Sequence, residues 1–97
     1  MDRAYYSSSI SNFCACEPDQ ILGQMTREHS FDLNGLQRDA WVEQTRLLKE
    51  VLRNQKGKIY FEFSIPRMGR RIDAVIIIGS VIFVIEFKVG AASYGSA

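Results

Sequence analysis

The chain has 97 residues and a mass of 11.1 kDa, with 46% apolar and 24% charged residues. These values are near the averages for small globular domains, so they exclude a two-domain protein and argue against disordered or collagen-like classes. The net charge of +1 hides an asymmetry: residues 1–50 hold five Lys and Arg against eight Asp and Glu, and residues 51–97 hold seven against three.

The apolar stretches are too short to predict a membrane helix. The longest, residues 74–85, is interrupted by Gly79-Ser80, whereas a bilayer span needs about 20 apolar residues. The first residues lack the apolar stretch of a secretion signal, so we expect a cytoplasmic protein with no membrane partner. Cys14 and Cys16 are too close in sequence for an unstrained disulfide, and we expect free thiols.

Residues 1–30 are predicted to form an N-terminal irregular or helical segment. Residues 1–17 mix serine and aromatic side chains without a regular period, which indicates weak helix at most. A proline and acidic residues then provide a helix start, and the apolar residues that follow fall on one side. A short helix is therefore expected to begin around Glu17-Pro18-Asp19 and to end at about Glu28.

The segment from Asn34 to Arg53 has the clearest helical pattern. Its apolar residues recur at spacings of three and four. They are Leu36, Ala40, Leu47, Leu48, Val51 and Leu52. On a helical wheel Gln44 lies near the centre of this stripe and Glu43 on its border, so one or both are expected to face a polar group.

The second half predicts a meander of three antiparallel strands, over residues 59–65, 71–78 and 81–89. Gly79-Ser80 is typical of a type II′ hairpin turn, because glycine stands first in a two-residue loop. The predicted fold class is α/β, with N-terminal helices followed by a three-stranded antiparallel meander. The last two strands are apolar on both faces, which predicts cover on two sides and an open edge that can pair with a second copy.

The hairpin turn also sets a register. If Ile78 pairs with Val81, counting back places Asp73 opposite Glu86 and on the same face as Arg71 and Val75. Carboxylates placed this way repel each other, so the pattern predicts either a bound Mg²⁺ or Mn²⁺, or neutralisation by Lys88 and Arg71 alone.

Asp73, twelve intervening residues and Glu86-Phe87-Lys88 resemble the PD-(D/E)xK nuclease superfamily, in which an acid-bearing helix precedes such a meander. More narrowly, the chain from Ile21 onward resembles the N-terminal nuclease-like domain that precedes a P-loop helicase or ATPase region in certain bacterial proteins. The segments that carry this likeness include Phe61-Glu62-Phe63, Arg71-Ile72-Asp73 and Ile85-Glu86-Phe87-Lys88-Val89-Gly90. The resemblance implies a nuclease-like core over residues 31–97 that is incomplete at its C-terminal end.

The resemblance also implies roles for individual residues in hydrolysing DNA, or less readily RNA, with Mg²⁺ or Mn²⁺. Asp73 and Glu86 would bind the metal together with the backbone carbonyl of Phe87, and Lys88 would be the catalytic lysine.

The helix acid of the family best matches Glu43, with Gln44 as the competing residue. Glu62 is a further candidate, and its face depends on the loop at residues 67–70.

Six Lys and Arg residues and one acid lie between Arg53 and Arg71, with aromatic residues interleaved. Such a patch can hold a phosphate backbone with salt-dependent affinity. The expected nucleic-acid-binding residues are Lys58, Arg67, Arg70 and Arg71. Two alternatives remain: an inactive nuclease-like domain that binds nucleic acid for a helicase or ATPase, and a structural domain whose open sheet edge pairs with another chain.

Overall fold

The computed structural model describes residues 3–28 and 35–87. Within these ranges the elements are β1 (Tyr6–Ser9), α1 (Ile10–Ala15), α2 (Pro18–Glu28), α3 (Gly35–Val51), β2 (Lys58–Ile65), β3 (Arg70–Ile78) and β4 (Val81–Ile85). The strands form one antiparallel sheet in the order β1-β2-β3-β4. The α/β class is confirmed, but the sheet has one strand more than the predicted meander.

Strand β1 is the element that the sequence pattern did not reveal. It contains three serines and has no apolar alternation, so the prediction of irregular or weakly helical chain is wrong here. The strand forms because it pairs with β2, with Tyr6 opposite Phe61. Their rings lie 5.7 Å apart, and such cross-strand aromatic contacts stabilise a sheet where local propensity is weak.

Helix α1 is held at both ends. The Ser9 hydroxyl accepts a hydrogen bond of 3.1 Å from the backbone N–H of Asn12, which caps the first turn. At the other end the Lys49 ammonium, from α3, donates to the backbone carbonyls of Phe13 and Cys16 and lies 4.8 Å from the centre of the Phe13 ring. These bonds satisfy carbonyls that a helix end leaves without partners, and they join α1 to α3.

The core lies between the helices and one face of the sheet. Its apolar members come from the three helices, from Leu52 just after α3, and from strands β1, β2 and β3. They are Tyr6, Ile10, Phe13, Ile21, Met25, Trp41, Leu48, Leu52, Ile59, Phe61, Ala74 and Ile76. On the opposite face, a groove of about 400 Å³ is lined by strand residues alone, among them Tyr60, Val75 and Ile82. The predicted cover on two sides is therefore not provided by the helices of the described residues.

Helix α3 is rotated relative to the predicted apolar stripe. Its buried residues include Trp41 and Leu48, whereas Leu47 and Val51 are 43% and 61% exposed. Trp41 was absent from the predicted stripe, and its indole is the largest side chain in the core. Burial of so much apolar surface decides which side of the helix faces the sheet.

The hairpin between β3 and β4 follows the prediction closely. Ile78 pairs with Val81. Gly79 has φ of 61° while Ser80 is not among the described residues with positive φ, which is the type II′ pattern. Strand β4 ends at Ile85 instead of residue 89. Within the described ranges, no helix is long and apolar enough to cross a membrane.

Replacing Lys49 with Met is expected to lower the free energy of unfolding by about 1–3 kcal/mol, because part-buried carbonyls at the end of α1 lose their donor. Urea denaturation followed by circular dichroism measures this loss. Lys56→Met is the matched control, since Lys56 is exposed and should change stability by less than about 0.5 kcal/mol. Equal losses in the two variants would contradict the assignment.

Candidate functional site

The predicted carboxylate pair lies where the β3–β4 ladder ends. The paired residues run from Ile78 and Val81 to Ala74 and Ile85, so the predicted register is confirmed up to Ala74, the residue directly after Asp73 in the sequence. Asp73 and Glu86 are the next residues beyond this pair, on the β3 side and the β4 side of the hairpin.

Asp73 contacts the backbone beyond β4. Its Oδ2 atom accepts a hydrogen bond of 2.8 Å from the backbone N–H of Phe87. The hairpin thus brings the Asp73 carboxylate to the Glu86-Phe87 peptide. Lys88, the predicted catalytic lysine, lies outside the described residues.

Glu86 is neutralised by an arginine other than the expected one. Its Oε2 atom lies 3.6 Å from Nη2 of Arg70, at the start of β3. Arg71 and Lys88 were the residues expected in this role. The side chains of Arg70 and Glu86 are 57% and 46% exposed, and ion pairs this open to water contribute about 0.2–1 kcal/mol. A ligand can therefore displace Arg70 at small cost.

Glu62, on β2, lies beside Asp73 of β3 in the sheet. The pairs on either side of it, Phe61 with Ala74 and Phe63 with Ile72, place it opposite Asp73. Its φ is 55°, in the left-handed region that non-glycine residues rarely adopt within a strand. Glu62 on β2, Asp73 on β3 and Glu86 just after β4 therefore lie in one row across the sheet. The backbone in this row is strained at Glu62.

The strain changes which way neighbouring side chains face. The Phe63 ring lies 5.7 Å from the Tyr60 ring, although residues three apart in a regular strand point to opposite faces. Ile72 lines the outer groove together with Val75.

Arg71 holds this distorted segment in place. Its Nη1 atom donates to the carbonyl of Glu62 at 2.6 Å and lies 3.4 Å from the carbonyl of Arg3. The guanidinium carbon is 4.2 Å from the centre of the Tyr5 ring. Arg71 is thus on the Tyr5 side of the sheet, and the prediction that it shares a face with Val75 is wrong because the alternation breaks between them.

The two candidate residues on α3 face different environments. Glu43 is exposed and forms an ion pair with Arg46, whose hydrogen bond and positive charge lower the pKa of the Glu43 carboxyl. Gln44 is 3% exposed, and its Nε2 atom has no hydrogen-bond partner among the described residues. Of the two, Gln44 is the residue that points into the fold.

Thr45 is a buried polar residue that the sequence analysis missed. Its hydroxyl is fully buried and lacks a hydrogen-bond partner in the described part of the chain. Its position one turn after Trp41 was the available signal, because Trp41 sets the buried side of α3.

The remaining predicted residues lie around the β2–β3 turn and at the far end of β2. Arg67 is exposed in the turn, with φ of 76°. Lys58 is exposed at the first position of β2. Seven residue steps along a strand cover about 23 Å, so Lys58 lies far from the turn that carries Arg67 and Arg70.

Asp73 and Glu86 are the residues that could bind a metal at this site. In residues 3–28 and 35–87, no three His, Cys, Asp or Glu side chains are grouped closely enough to hold an ion together. Asp73 and Glu86 supply two carboxylates, and Mg²⁺ is commonly bound by one or two carboxylates with water and phosphate oxygens. Cys14 and Cys16 are free thiols.

Comparisons of this chain with known protein families, with curated proteins and with solved structures give no significant match. The roles of Asp73 and Glu86 therefore depend on the sequence pattern and on the contacts described above.

Replacing Arg70 with Gln is expected to raise Mn²⁺ affinity about 2- to 5-fold, because Glu86 no longer has to leave an ion pair to bind the metal. Electron paramagnetic resonance of free Mn²⁺ gives the affinity directly. Arg67→Gln removes the same charge from the neighbouring turn and should have a smaller effect. If both variants bind Mn²⁺ like the native chain, Glu86 is not a ligand.

Proposed function

We propose that this chain is a metal-dependent nuclease domain that hydrolyses phosphodiester bonds of DNA, with Mg²⁺ or Mn²⁺ bound by Asp73 and Glu86. The observation that supports this most is the 2.8 Å hydrogen bond from Phe87 N–H to Asp73. It joins the aspartate of β3 to the Glu86-Phe87 segment, as the PD-(D/E)xK resemblance requires. The same resemblance suggests the Phe87 carbonyl as a further ligand and Lys88 as the catalytic lysine.

Electrostatics favours a divalent cation at this point. Asp73 and Glu86 together carry two negative charges, and the ion pair with Arg70 offsets one of them. A bound Mg²⁺ supplies a hydroxide from water and stabilises the charge that develops on a phosphate. The Phe87 N–H would orient Asp73 for this role, and Glu86 would have to leave Arg70 to bind the metal.

An Arg70 displaced from Glu86 would be available to the substrate. Arg67 is exposed in the turn that precedes Arg70. Guanidinium groups bind phosphate oxygens with two parallel hydrogen bonds. These two arginines are the best candidates for holding a DNA backbone beside the metal, with Lys58 contributing to a duplex that runs along β2. A P-loop helicase or ATPase is the partner that the resemblance suggests.

Binding without cleavage is the second candidate function. It is favoured by the Arg70–Glu86 ion pair, which already neutralises one of the carboxylates without a metal. In this case the domain would bind nucleic acid for a neighbouring motor protein and would leave it intact.

Nicking of supercoiled plasmid distinguishes the two functions. The native chain is expected to nick DNA in Mn²⁺ and not in EDTA. Asp73→Asn and Glu86→Gln are expected to reduce the nicking rate at least about 100-fold, since each removes charge that holds the metal opposite the developing phosphate charge. Lys88→Met should cause a similar loss, and fluorescence anisotropy should show that all three variants still bind DNA.

Glu43→Gln is the matched control for these carboxylate variants, because Glu43 is exposed and paired with Arg46. It should nick DNA at the native rate, whereas Gln44→Ala should be slower. DNA binding by the native chain with no metal-dependent nicking would favour the binding module. Nicking that persists in Asp73→Asn and Glu86→Gln would overturn the proposed site.

A further inference from the structure

Strand β4 is an edge strand with an apolar surface on both sides. Val81, Ile82, Phe83 and Val84 are 51%, 63%, 46% and 60% exposed, so consecutive side chains on both faces of the strand contact solvent. In the described part of the chain no strand pairs with the outer edge of β4. Its outward backbone groups are available to another strand.

Nothing in β4 protects this edge. Natural edge strands carry lysine, proline or a bulge that prevents pairing with another molecule. The sequence Val81-Ile82-Phe83-Val84-Ile85 has none of the protective residues, and its ladder with β3 is regular.

The other edge of the sheet is blunted. Strand β1 has four residues, three of them serine, and leads directly into α1. The two edges of the sheet therefore differ, and only the β4 edge is suited to pairing.

Each side-chain row of β4 borders an apolar groove. On the helix side a groove of about 390 Å³ is lined by Val81, Phe83 and Ile85 together with Leu48 and Val51. On the outer side Ile82 and Val84 border the groove of about 400 Å³ described above. A chain that covers β4 must therefore supply backbone hydrogen bonds and apolar side chains on both faces, without charge.

We propose that a second copy of this chain is that partner, through antiparallel pairing of β4 with β4 across a two-fold axis at Phe83. In this register Phe83 lies opposite Phe83 of the second copy, Ile82 opposite Val84, and Val81 opposite Ile85. Every pair is apolar, every row continues across the axis, and no like charges meet along the five residues. A nucleic acid or an acidic peptide offers none of these matches.

The geometry determines the size of the assembly. Because the same edge is used by both copies and β1 is blunted, the interface closes as a dimer and does not extend into a filament. Four β4 side chains are between 46% and 63% exposed, and pairing one five-residue strand covers less than the roughly 800 Å² per partner of a standard stable interface. The dimer is therefore expected in the micromolar range of dissociation constants.

Sedimentation velocity of the native chain from about 1 to 200 μM should show a monomer–dimer equilibrium, in keeping with a small interface. Ile82→Lys should weaken the dimer at least 10-fold, because two lysines would enter the apolar outer row. Met68→Lys is the matched control, since Met68 is 62% exposed in the distant β2–β3 turn, and it should dimerise like the native chain. Circular dichroism establishes that both variants are folded.

Cysteine cross-linking tests the register independently. Phe83→Cys places two thiols opposite each other, where directly paired Cβ atoms are about 4.5–5.5 Å apart, so mild oxidation should give a disulfide-linked dimer. Val81→Cys is on the same row, but its two copies would be offset by four residues, roughly 13 Å along the strand, and it should not link. The native chain controls for Cys14 and Cys16.

A native chain that stays monomeric up to 200 μM would overturn the proposal. A dimer that persists in Ile82→Lys would place the interface elsewhere. Dimers that link equally through residues 81 and 83 would overturn the two-fold axis at Phe83.

Discussion

Burial of Phe61 holds the sheet to the helices. Its ring is fully buried, 5.7 Å from the ring of Tyr6 and 5.5 Å from that of Phe13. Its carbonyl accepts a hydrogen bond of 3.0 Å from Tyr5 N–H. Removing an aromatic side chain from water contributes a few kcal/mol, and here that gain joins β1, α1 and β2 at once. The position of the next residue, Glu62, is consequently set by the core.

The distortion at Glu62 follows from what its neighbours require. Phe61 must point into the core, and the Phe63 ring packs at 5.7 Å against Tyr60 on the other face. A regular strand would place residues 61 and 63 on the same face, so the backbone turns over at residue 62. Arg71 binds the Glu62 carbonyl and stabilises this conformation. Strained residues of this kind are concentrated at functional sites, and this one lies beside Asp73.

Local sequence patterns predicted the hairpin. The features that were missed depend on contacts between residues far apart in the sequence. Gly79-Ser80 fixes its turn through the conformational freedom of glycine, so the pairing of Ile78 with Val81 could be read from the sequence. Strand β1 could not, because its serines have low strand propensity and its pairing partner lies over 50 residues away. The choice of Arg70 over Arg71 as partner of Glu86 was also hidden, since counting along β3 assumes an alternation that the distortion at Glu62 removes.

The two carboxylates of the candidate site differ in how firmly they are held, and under the proposed function this would give them different parts in binding a cation. Asp73 is fixed by the backbone N–H of Phe87, a donor that needs no side-chain ordering. Glu86 is held by a half-exposed arginine at 3.6 Å, a contact weak enough to exchange. A cation would therefore meet Asp73 as a preformed ligand and recruit Glu86 second. Breaking the ion pair with Arg70 makes that second step less favourable. The residue at position 70 should therefore change the affinity for the cation without being a ligand.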